Sequence, residues 1–150
     1  MNKIQLEERL ISFSVSIIEM TQSLPETRAN NHLGMQLLRS ATSTALNYGE
    51  AQSGESRRDF IHKIKLVLKE LRESHVCLKI IFKISQGSDA GKLPLLLKEC
   101  DELVVIFVKS VQTAENKQVA LKFLYYFFKI QKSPIFLQIL HKSKISNQQS

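Results

Sequence analysis

The chain has 150 residues, of which 43% are hydrophobic and 23% are charged, and its formal net charge at pH 7 is +7. This composition excludes an intrinsically disordered chain and suits one domain with a hydrophobic core, while two cysteines inside apolar runs exclude a disulfide framework. The charged N-terminal segment lacks the apolar core of a secretory signal, and no apolar run is long enough to span a membrane, so we expect a cytoplasmic protein.

The positive charge is concentrated toward the C-terminal end. Residues 1–115 contain 15 Lys and Arg against 14 Asp and Glu, and residues 116–150 contain six Lys and no acidic residue, so the net charge of +7 divides into +1 and +6. This division argues against the first 115 residues as a basic platform for nucleic acid.

Apolar residues spaced three and four apart predict a first amphipathic helix that ends before Pro25. Its apolar stripe consists of Leu6, Leu10, Phe13, Ile17, Met20 and Leu24. A second helix is predicted over about residues 31–52. Its middle, residues 40–45, contains only Ser, Thr and Ala, and small side chains let a neighbouring helix approach closely. Gly34 and Gly49 each lower helix propensity by roughly 1 kcal/mol relative to Ala, so tertiary packing must hold this helix.

The third predicted helix starts at Ser56, which together with Asp59 resembles a capping box. Its apolar stripe, interrupted only by a serine, consists of Phe60, Ile64, Val67, Leu71, Ser74, Leu78 and Ile81. Beyond Val76 this helix is apolar on several faces, because further apolar residues lie beside the stripe. One core contact cannot cover so wide a surface, so we expect a second buried face there.

A loop of turn-prone residues is predicted over residues 86–91, followed by a fourth helix from Leu93 to about Glu115. The fourth helix also has a wide apolar face, and its central stripe consists of Leu96, Cys100, Leu103, Phe107 and Val111. Short links between four helices of similar length predict an all-α fold, an antiparallel up-and-down four-helix bundle over residues 1–115 with a C-terminal extension over residues 116–150.

The residue patterns of common catalytic and metal sites are absent from the sequence. No Glu is followed three residues later by His, as a carboxylate-bridged metal site in a bundle requires, and the four His are scattered. The segment GSDAGK at residues 87–92 lacks one spacer residue of a phosphate-binding loop, and Leu93 stands where Ser or Thr would bind Mg²⁺. We therefore predict a non-enzymatic protein with no metal and no cofactor.

Four polar residues of the second helix form what we call the Arg39 stripe. Arg39, Ser43, Asn47 and Glu50 are spaced four, four and three residues apart, so they line one face of the helix. One interpretation is a polar surface or a hydrogen-bond network that pins the second helix to the third. The other is a binding or subunit-interface stripe, in which Arg39 pairs with a carboxylate or a phosphate.

Two segments, QLLRSATSTALNYGE at residues 36–50 and SRRDFIHKIKLVLKEL at residues 56–71, carry a family resemblance. They resemble the four-helix bundle family named for proteins encoded in intervening sequences of bacterial 23S ribosomal RNA genes, and the resemblance covers about residues 4–113. The residues that match the family pattern are Gln36, Leu37, Arg39, Ala41, Ser43, Asn47, Glu50, Ser56, Phe60, Leu68, Glu70 and Leu71. Ala51 and Gly54 depart from it, because the family often has Gly and Arg at these two positions.

The resemblance implies an up-and-down bundle that assembles as a ring-like homopentamer and has no known catalysis. A related branch of the family comprises accessory proteins of diversity-generating retroelements. In that branch, the resemblance implies a pentamer that binds a reverse transcriptase and nucleic acid.

The C-terminal extension mixes lysines with aromatic residues in the segment VALKFLYYFFKI, residues 119–130, and Pro134 separates this segment from a second apolar piece at residues 135–140. Three interpretations are open: an added helix that docks on the bundle or on a partner, a disordered extension, and a surface for a membrane or nucleic acid. In the last case Lys contacts phosphates while the rings stack on bases. The candidate nucleic-acid contacts are Lys117, Lys122, Lys129 and Lys132.

Two functional classes are compatible with these features. The resemblance and the basic extension favour an oligomeric, cytoplasmic adaptor that associates with nucleic acid or with the ribosome. The alternative is a protein-only scaffold, such as an accessory subunit of a reverse transcriptase or another enzyme. The expected partners are further copies of the chain, and the resemblance implies that they form a homopentamer. RNA, DNA or a partner protein are the other expected partners.

Overall fold

The computed structural model describes residues 1–85 and 91–131, and for Gln118 and residues 126–131 it describes the backbone only. The described residues form four α-helices and no strand, which confirms the predicted all-α class. The helices are α1 (Lys3–Gln22), α2 (Arg28–Gln52), α3 (Arg57–Ile84) and α4 (Leu93–Gln131). Most of the predicted loop, residues 86–90, lies outside the described residues, as do residues 132–150 with Pro134 and the second apolar piece. No helix within the described ranges has both the length and the apolarity needed to cross a membrane.

Polar side chains cap the first three helices at their N-termini. Asn2 forms a capping box with Gln5 at the start of α1, and Ser56 accepts a hydrogen bond from the backbone N–H of Asp59 at the start of α3, as predicted. At α2 the side chain of Thr27 accepts from the backbone N–H of Asn30. Because Thr27 supplies this cap, α2 begins at Arg28, three residues before the predicted start.

The fourth helix is longer than the sequence predicted. The prediction ended it at about Glu115, where its apolar stripe ends, whereas α4 continues to Gln131. Residues 116–131 contain neither Gly nor Pro, and a helix that is already nucleated extends across such a segment at little cost. The chain divides into two compact units, Met1–Gln112 and Thr113–Ser150, and α4 contributes residues to each of them.

Side-chain contacts in the first unit show that its neighbouring helices run antiparallel. In each pair of helices, residues with rising numbers in one helix meet residues with falling numbers in the other. The contacts are Arg9–Glu99 and Glu19–Lys92 between α1 and α4, and Ser40–Ser74 and Glu50–Lys63 between α2 and α3. This is the direction that the predicted up-and-down bundle requires.

The small residues in the middle of α2 allow the close approach of a neighbouring helix that the sequence predicted, and the structure shows that this helix is α1. The hydroxyl of Ser14 on α1 donates a hydrogen bond to the backbone carbonyl of Ala41 on α2, at 3.0 Å. Ala41 and Thr44 are both fully buried. A side-chain hydroxyl reaches the backbone of a neighbouring helix only where no bulky side chain keeps the two apart, so these small residues set the spacing between α1 and α2.

The core follows the predicted apolar stripes with two corrections. The stripe of α4 is buried throughout, and so is that of α1 except for Leu24, which is half-buried beyond the end of the helix. In α3 the buried stripe begins at Ile61 rather than at Phe60, which is only half-buried. The prediction of Phe60 was wrong because Ile61, Ile64 and Leu68 continue the three-and-four spacing on the face that points into the core.

The large apolar side chains that are exposed on the helices of the first unit are divided evenly, with five on α1 and α2 and five on α3 and α4. The sequence predicted an excess of apolar surface on the third and fourth helices, and part of it is there. On α3 and α4 the exposed residues are Val76, Ile80, Ile84, Leu95 and Val105. On the outer faces of α1 and α2 they are Ile4, Ile11, Val15, Met35 and Leu46, which we call the α1–α2 apolar face. The sequence did not predict this second group.

Arg9 links α1 to α4 through two carboxylates. Its Nε lies 2.6 Å from Oε1 of Glu99, and one Nη lies 2.8 Å from Oε2 of Glu99 and 2.5 Å from Oε2 of Glu102. The hydrogen bonds that Arg9 donates to Glu99 raise the pKa of the guanidinium above its ordinary value. The guanidinium is therefore held in a two-point contact, which is stronger than a single ion pair.

We expect Arg9→Met to lower the free energy of unfolding by about 1–2 kcal/mol, because it removes a partly buried two-point ion pair and keeps most of the apolar stem. Urea denaturation at fixed protein concentration measures the change. The control is Lys92→Met, which breaks the exposed pair with Glu19 and should cost less than about 0.5 kcal/mol. Equal effects of the two substitutions would show that the Arg9 contact has no special strength.

Candidate functional site

The Arg39 stripe lies along the edge of α2 that faces α3. Arg39 pairs with Glu73, with 3.2 Å between Nη2 and Oε1, and Glu50 pairs with Lys63. Between them, the amide nitrogen of Asn47 donates a hydrogen bond to the backbone carbonyl of Ser43 at 2.8 Å. The two charged residues at the ends of the stripe therefore contact α3, and the two polar residues in the middle interact within α2.

The pairing of Arg39 leaves much of its guanidinium accessible. The Arg39 side chain is 67% exposed, whereas that of Glu73 is 29% exposed. Only one of the five guanidinium N–H donors is needed for the single contact with Glu73, so the others can bind a second anion. The geometry fits both interpretations of the stripe, as a tie between α2 and α3 and as a point where an external carboxylate or phosphate can bind.

A second polar contact lies beneath the stripe, in the core between α2 and α3. The hydroxyls of Ser40 and Ser74 are 2.8 Å apart, and both residues are fully buried. Each hydroxyl satisfies the other, so the pair avoids the cost of a buried polar group without a partner. The sequence showed Ser74 only as a polar interruption of an apolar stripe, and nothing in it indicated which residue would be its partner.

The two thiols of the bundle core are poorly suited to nucleophilic catalysis. Burial raises the pKa of the Cys100 thiol to about 12, and this thiol donates a hydrogen bond to the backbone carbonyl of Leu71 at 3.3 Å. Burial also raises the pKa of Cys77. A nucleophilic cysteine requires the opposite shift, toward the thiolate. His75 Nε2 lies 3.0 Å from Oδ1 of Asp101, outside hydrogen-bonding geometry.

Within residues 1–85 and 91–131, no three His, Cys, Asp or Glu side chains come together in the way that metal ligands do.

The lysines predicted to contact nucleic acid lie on α4 or beyond it. Lys117 and Lys122 are exposed on α4. Lys129 lies within α4, where only the backbone is described, and Lys132 lies outside the described residues.

The sequence analysis did not recognise the uneven distribution of charge among the helices. The α3 helix contains eight Lys and Arg but three acidic residues, whereas α1 contains two Lys and Arg against three acidic residues. Averaging over residues 1–115 conceals this difference, because the acidic residues of α1 and α4 offset the cations of α3. A count for each helix separately would have revealed it.

Comparison with known proteins identifies the family of this chain and supports its fold. A model of the 23S rRNA-intervening sequence protein family matches residues 2–109. Among solved structures, the chain is similar to a protein of unknown function from the S23 ribosomal protein family of Bacteroides thetaiotaomicron VPI-5482. That similarity has a TM-score of 0.64 at 23% sequence identity and covers 75% of this chain and 99% of the other, so it supports the four-helix fold. The search of curated proteins produced no match. Since the family model covers most of the chain, this protein belongs to the 23S rRNA-intervening sequence protein family.

Proposed function

We propose that this protein is a non-catalytic, oligomeric adaptor that binds nucleic acid, with RNA as the first ligand to test because the family is named for 23S rRNA. The supporting observation is the combination of exposed cations and rings on α4 beyond Gln112. Lys117, Lys122, Phe123 and Tyr125 are all exposed there. Lysine contacts phosphates and aromatic rings stack on bases, and the two together are typical of proteins that bind nucleic acid without sequence preference.

The proposed oligomer forms through the α1–α2 apolar face. Its aliphatic side chains have few charged neighbours, because Glu8 is the only exposed charged residue between Ile4 and Val15, and Arg39 the only one between Met35 and Leu46. The exposed aliphatic residues of α3 instead lie among cations that are costly to bury. A face that is apolar and nearly uncharged suits association between identical chains, and the homopentamer implied by the family resemblance is the proposed assembly.

The proposed role is binding rather than catalysis. The two cysteine thiols have raised pKa values and remain protonated at neutral pH. Five carboxylates form ion pairs with side chains elsewhere in the bundle, namely Glu19, Glu50, Glu73, Glu99 and Glu102. The side chains of the bundle thus hold the helices together, and the exposed basic residues remain for a polyanionic partner.

The proposal predicts salt-dependent binding of RNA to the full-length protein, which weakens when the α4 lysines are neutralised. The variant Lys117→Gln, Lys122→Gln, Lys129→Gln removes three candidate phosphate contacts, so we expect at least a roughly tenfold loss of affinity near 0.1 M salt and a shallower dependence on salt concentration. Fluorescence anisotropy with labelled RNA measures both quantities.

The matched control for this experiment removes the same charge elsewhere. Lys3→Gln, Lys98→Gln, Lys109→Gln neutralises three exposed lysines that lie outside the C-terminal unit, and it should change the affinity by less than about threefold. Equal losses in the two variants would indicate a general charge effect and remove the α4 lysines as contacts. If the full-length protein binds no nucleic acid at low salt, the adaptor proposal fails and the protein-only scaffold replaces it.

A further inference from the structure

A line of exposed residues, all of them Lys, Arg or His except Val76, runs along the outer face of α3. The members of this line, which we call the α3 stripe, are Arg58, His62, Lys65, Lys69, Arg72, Val76, Lys79 and Lys83. Their spacing alternates between four and three residues from one end to the other, which keeps them on one side of the helix. All eight are exposed, and they are opposite the buried stripe that faces the core.

The α3 stripe contains charge of one sign only. Every exposed residue of α3 from His62 to Lys83 belongs to the stripe or is Ile80, and none of them is acidic. The acidic residues of this segment, Glu70 and Glu73, are half-buried. Ordinary solvated helix faces mix both signs, because like charges three or four residues apart destabilise a helix.

Several of these cations have no ion pair within the part of the chain that the structure describes. The Nζ atom of Lys69 lies 3.5 Å from Oε1 of Glu70, and the Lys69 side chain stays 68% exposed. Within the described ranges no ion pair is found for four members of the stripe, Arg58, Arg72, Lys79 and Lys83. The repulsion along the stripe is therefore not offset by contacts of these four residues, and a polyanion that lies along α3 would offset it.

We propose that the α3 stripe binds the phosphate backbone of a double-stranded nucleic acid. This inference rests on the proposed function and assigns it a second surface, separate from the C-terminal lysines. At a rise of 1.5 Å per residue, the stripe is roughly 37 Å long, which is about the length of one turn of a duplex. A duplex is stiff over this distance, so a straight row of cations can lie along it and meet both phosphate backbones where they wind past that side.

The composition of the stripe favours a duplex over a single strand. Single-stranded nucleic acid is usually held by aromatic rings that stack on unpaired bases, and the α3 stripe contains no Phe, Tyr or Trp. Lys and Arg without such rings contact phosphates and carry no base preference. Binding along α3 is consequently independent of sequence and strongly dependent on salt.

The test compares two triple variants of the full-length protein with equal loss of charge. The stripe variant is Arg72→Gln, Lys79→Gln, Lys83→Gln, and the control is again Lys3→Gln, Lys98→Gln, Lys109→Gln. Gln preserves helix propensity, and circular dichroism and sedimentation check that fold and assembly are unchanged. The probes are a random-sequence RNA duplex, the corresponding DNA duplex and the single strands, each titrated between about 50 and 200 mM salt.

We expect the stripe variant to bind both duplexes at least about tenfold more weakly than the control. The slope of log affinity against log salt concentration should become shallower by about 3. The single strands should lose less affinity. If the stripe variant binds duplex as the control does, while the C-terminal lysine variant does not, the stripe inference is overturned and the proposed function stands. If the wild type binds no nucleic acid, both fail. Preferential binding of the wild type to phosphatidylserine vesicles over duplex would assign the stripe to a membrane surface instead.

A second measurement does not depend on any variant. When the wild-type protein is chemically acetylated, bound duplex RNA should protect Lys69, Lys79 and Lys83 from modification relative to the unbound protein. The extent of acetylation at Lys3, Lys98 and Lys109 should not change. Protection that is equal in the two groups overturns the proposal, even if the stripe variant proves to be unstable.

Discussion

Replacement of Phe107 by alanine should lower the free energy of unfolding by about 3–5 kcal/mol, the largest loss that we expect from any single substitution in this protein. Phe107 is fully buried on α4. Its ring meets that of Tyr48 on α2 edge to face, with 5.7 Å between the ring centroids and 90° between the planes. The substitution removes this contact and leaves a cavity in the centre of the bundle.

Urea denaturation followed by circular dichroism, at one protein concentration for all variants, measures the loss of stability. Phe107→Leu restores most of the volume and should cost about 1–1.5 kcal/mol. Phe123→Ala is the surface control, because the Phe123 side chain is 72% exposed, and it should change stability by less than about 0.5 kcal/mol. A loss below 1 kcal/mol for Phe107→Ala would mean that α2 and α4 do not meet around this ring.

The double variant Val15→Glu, Leu46→Glu should convert the proposed oligomer into single chains. Val15 is 47% exposed and Leu46 is 67% exposed in the isolated chain, so neither substitution disturbs the core. In an assembly built on the α1–α2 apolar face, both carboxylates would be buried without partners, and each costs several kcal/mol. Since 1.4 kcal/mol corresponds to a factor of ten, we expect the dissociation constant to rise by at least about a thousandfold.

Analytical ultracentrifugation of the wild type and two double variants tests this expectation. The matched variant is Val76→Glu, Val105→Glu, which places the same charges on α3 and α4, where the sequence alone predicted the excess apolar surface. It should leave the assembly intact. The reverse result would place the interface on α3 and α4, and a wild type that sediments as a folded single chain would remove the oligomer altogether.

The helices and most of their core residues were predictable because the information is local. Side chains three or four residues apart share a helix face, so the spacing of apolar residues predicted the buried stripes of α1 and α4. The cap at Ser56 and the end of α1 before Pro25 follow from hydrogen bonds and ring geometry within a few residues. The end of α4 was missed because the apolar stripe stops before the helix does.

The candidate site was only partly predictable. The spacing of the Arg39 stripe placed its four residues on one face, but the pairing of Arg39 with Glu73 joins residues 34 positions apart. The same separation divides Ser40 from Ser74. No local pattern encodes such partners, because they depend on how far each helix is rotated and shifted against its neighbour.

By itself the sequence determined an all-α chain of the 23S rRNA-intervening sequence family, with four amphipathic helices, small residues in the middle of α2, and surplus positive charge in its last residues. Only the tertiary structure decided which faces of those helices remain at the surface. The apolar residues of α1 and α2 and the cations of α3 have helical spacing like any other residues, and they stay at the surface because packing buries the opposite sides. Spacing along a helix is a property of the chain, whereas exposure depends on the arrangement of all four helices at once.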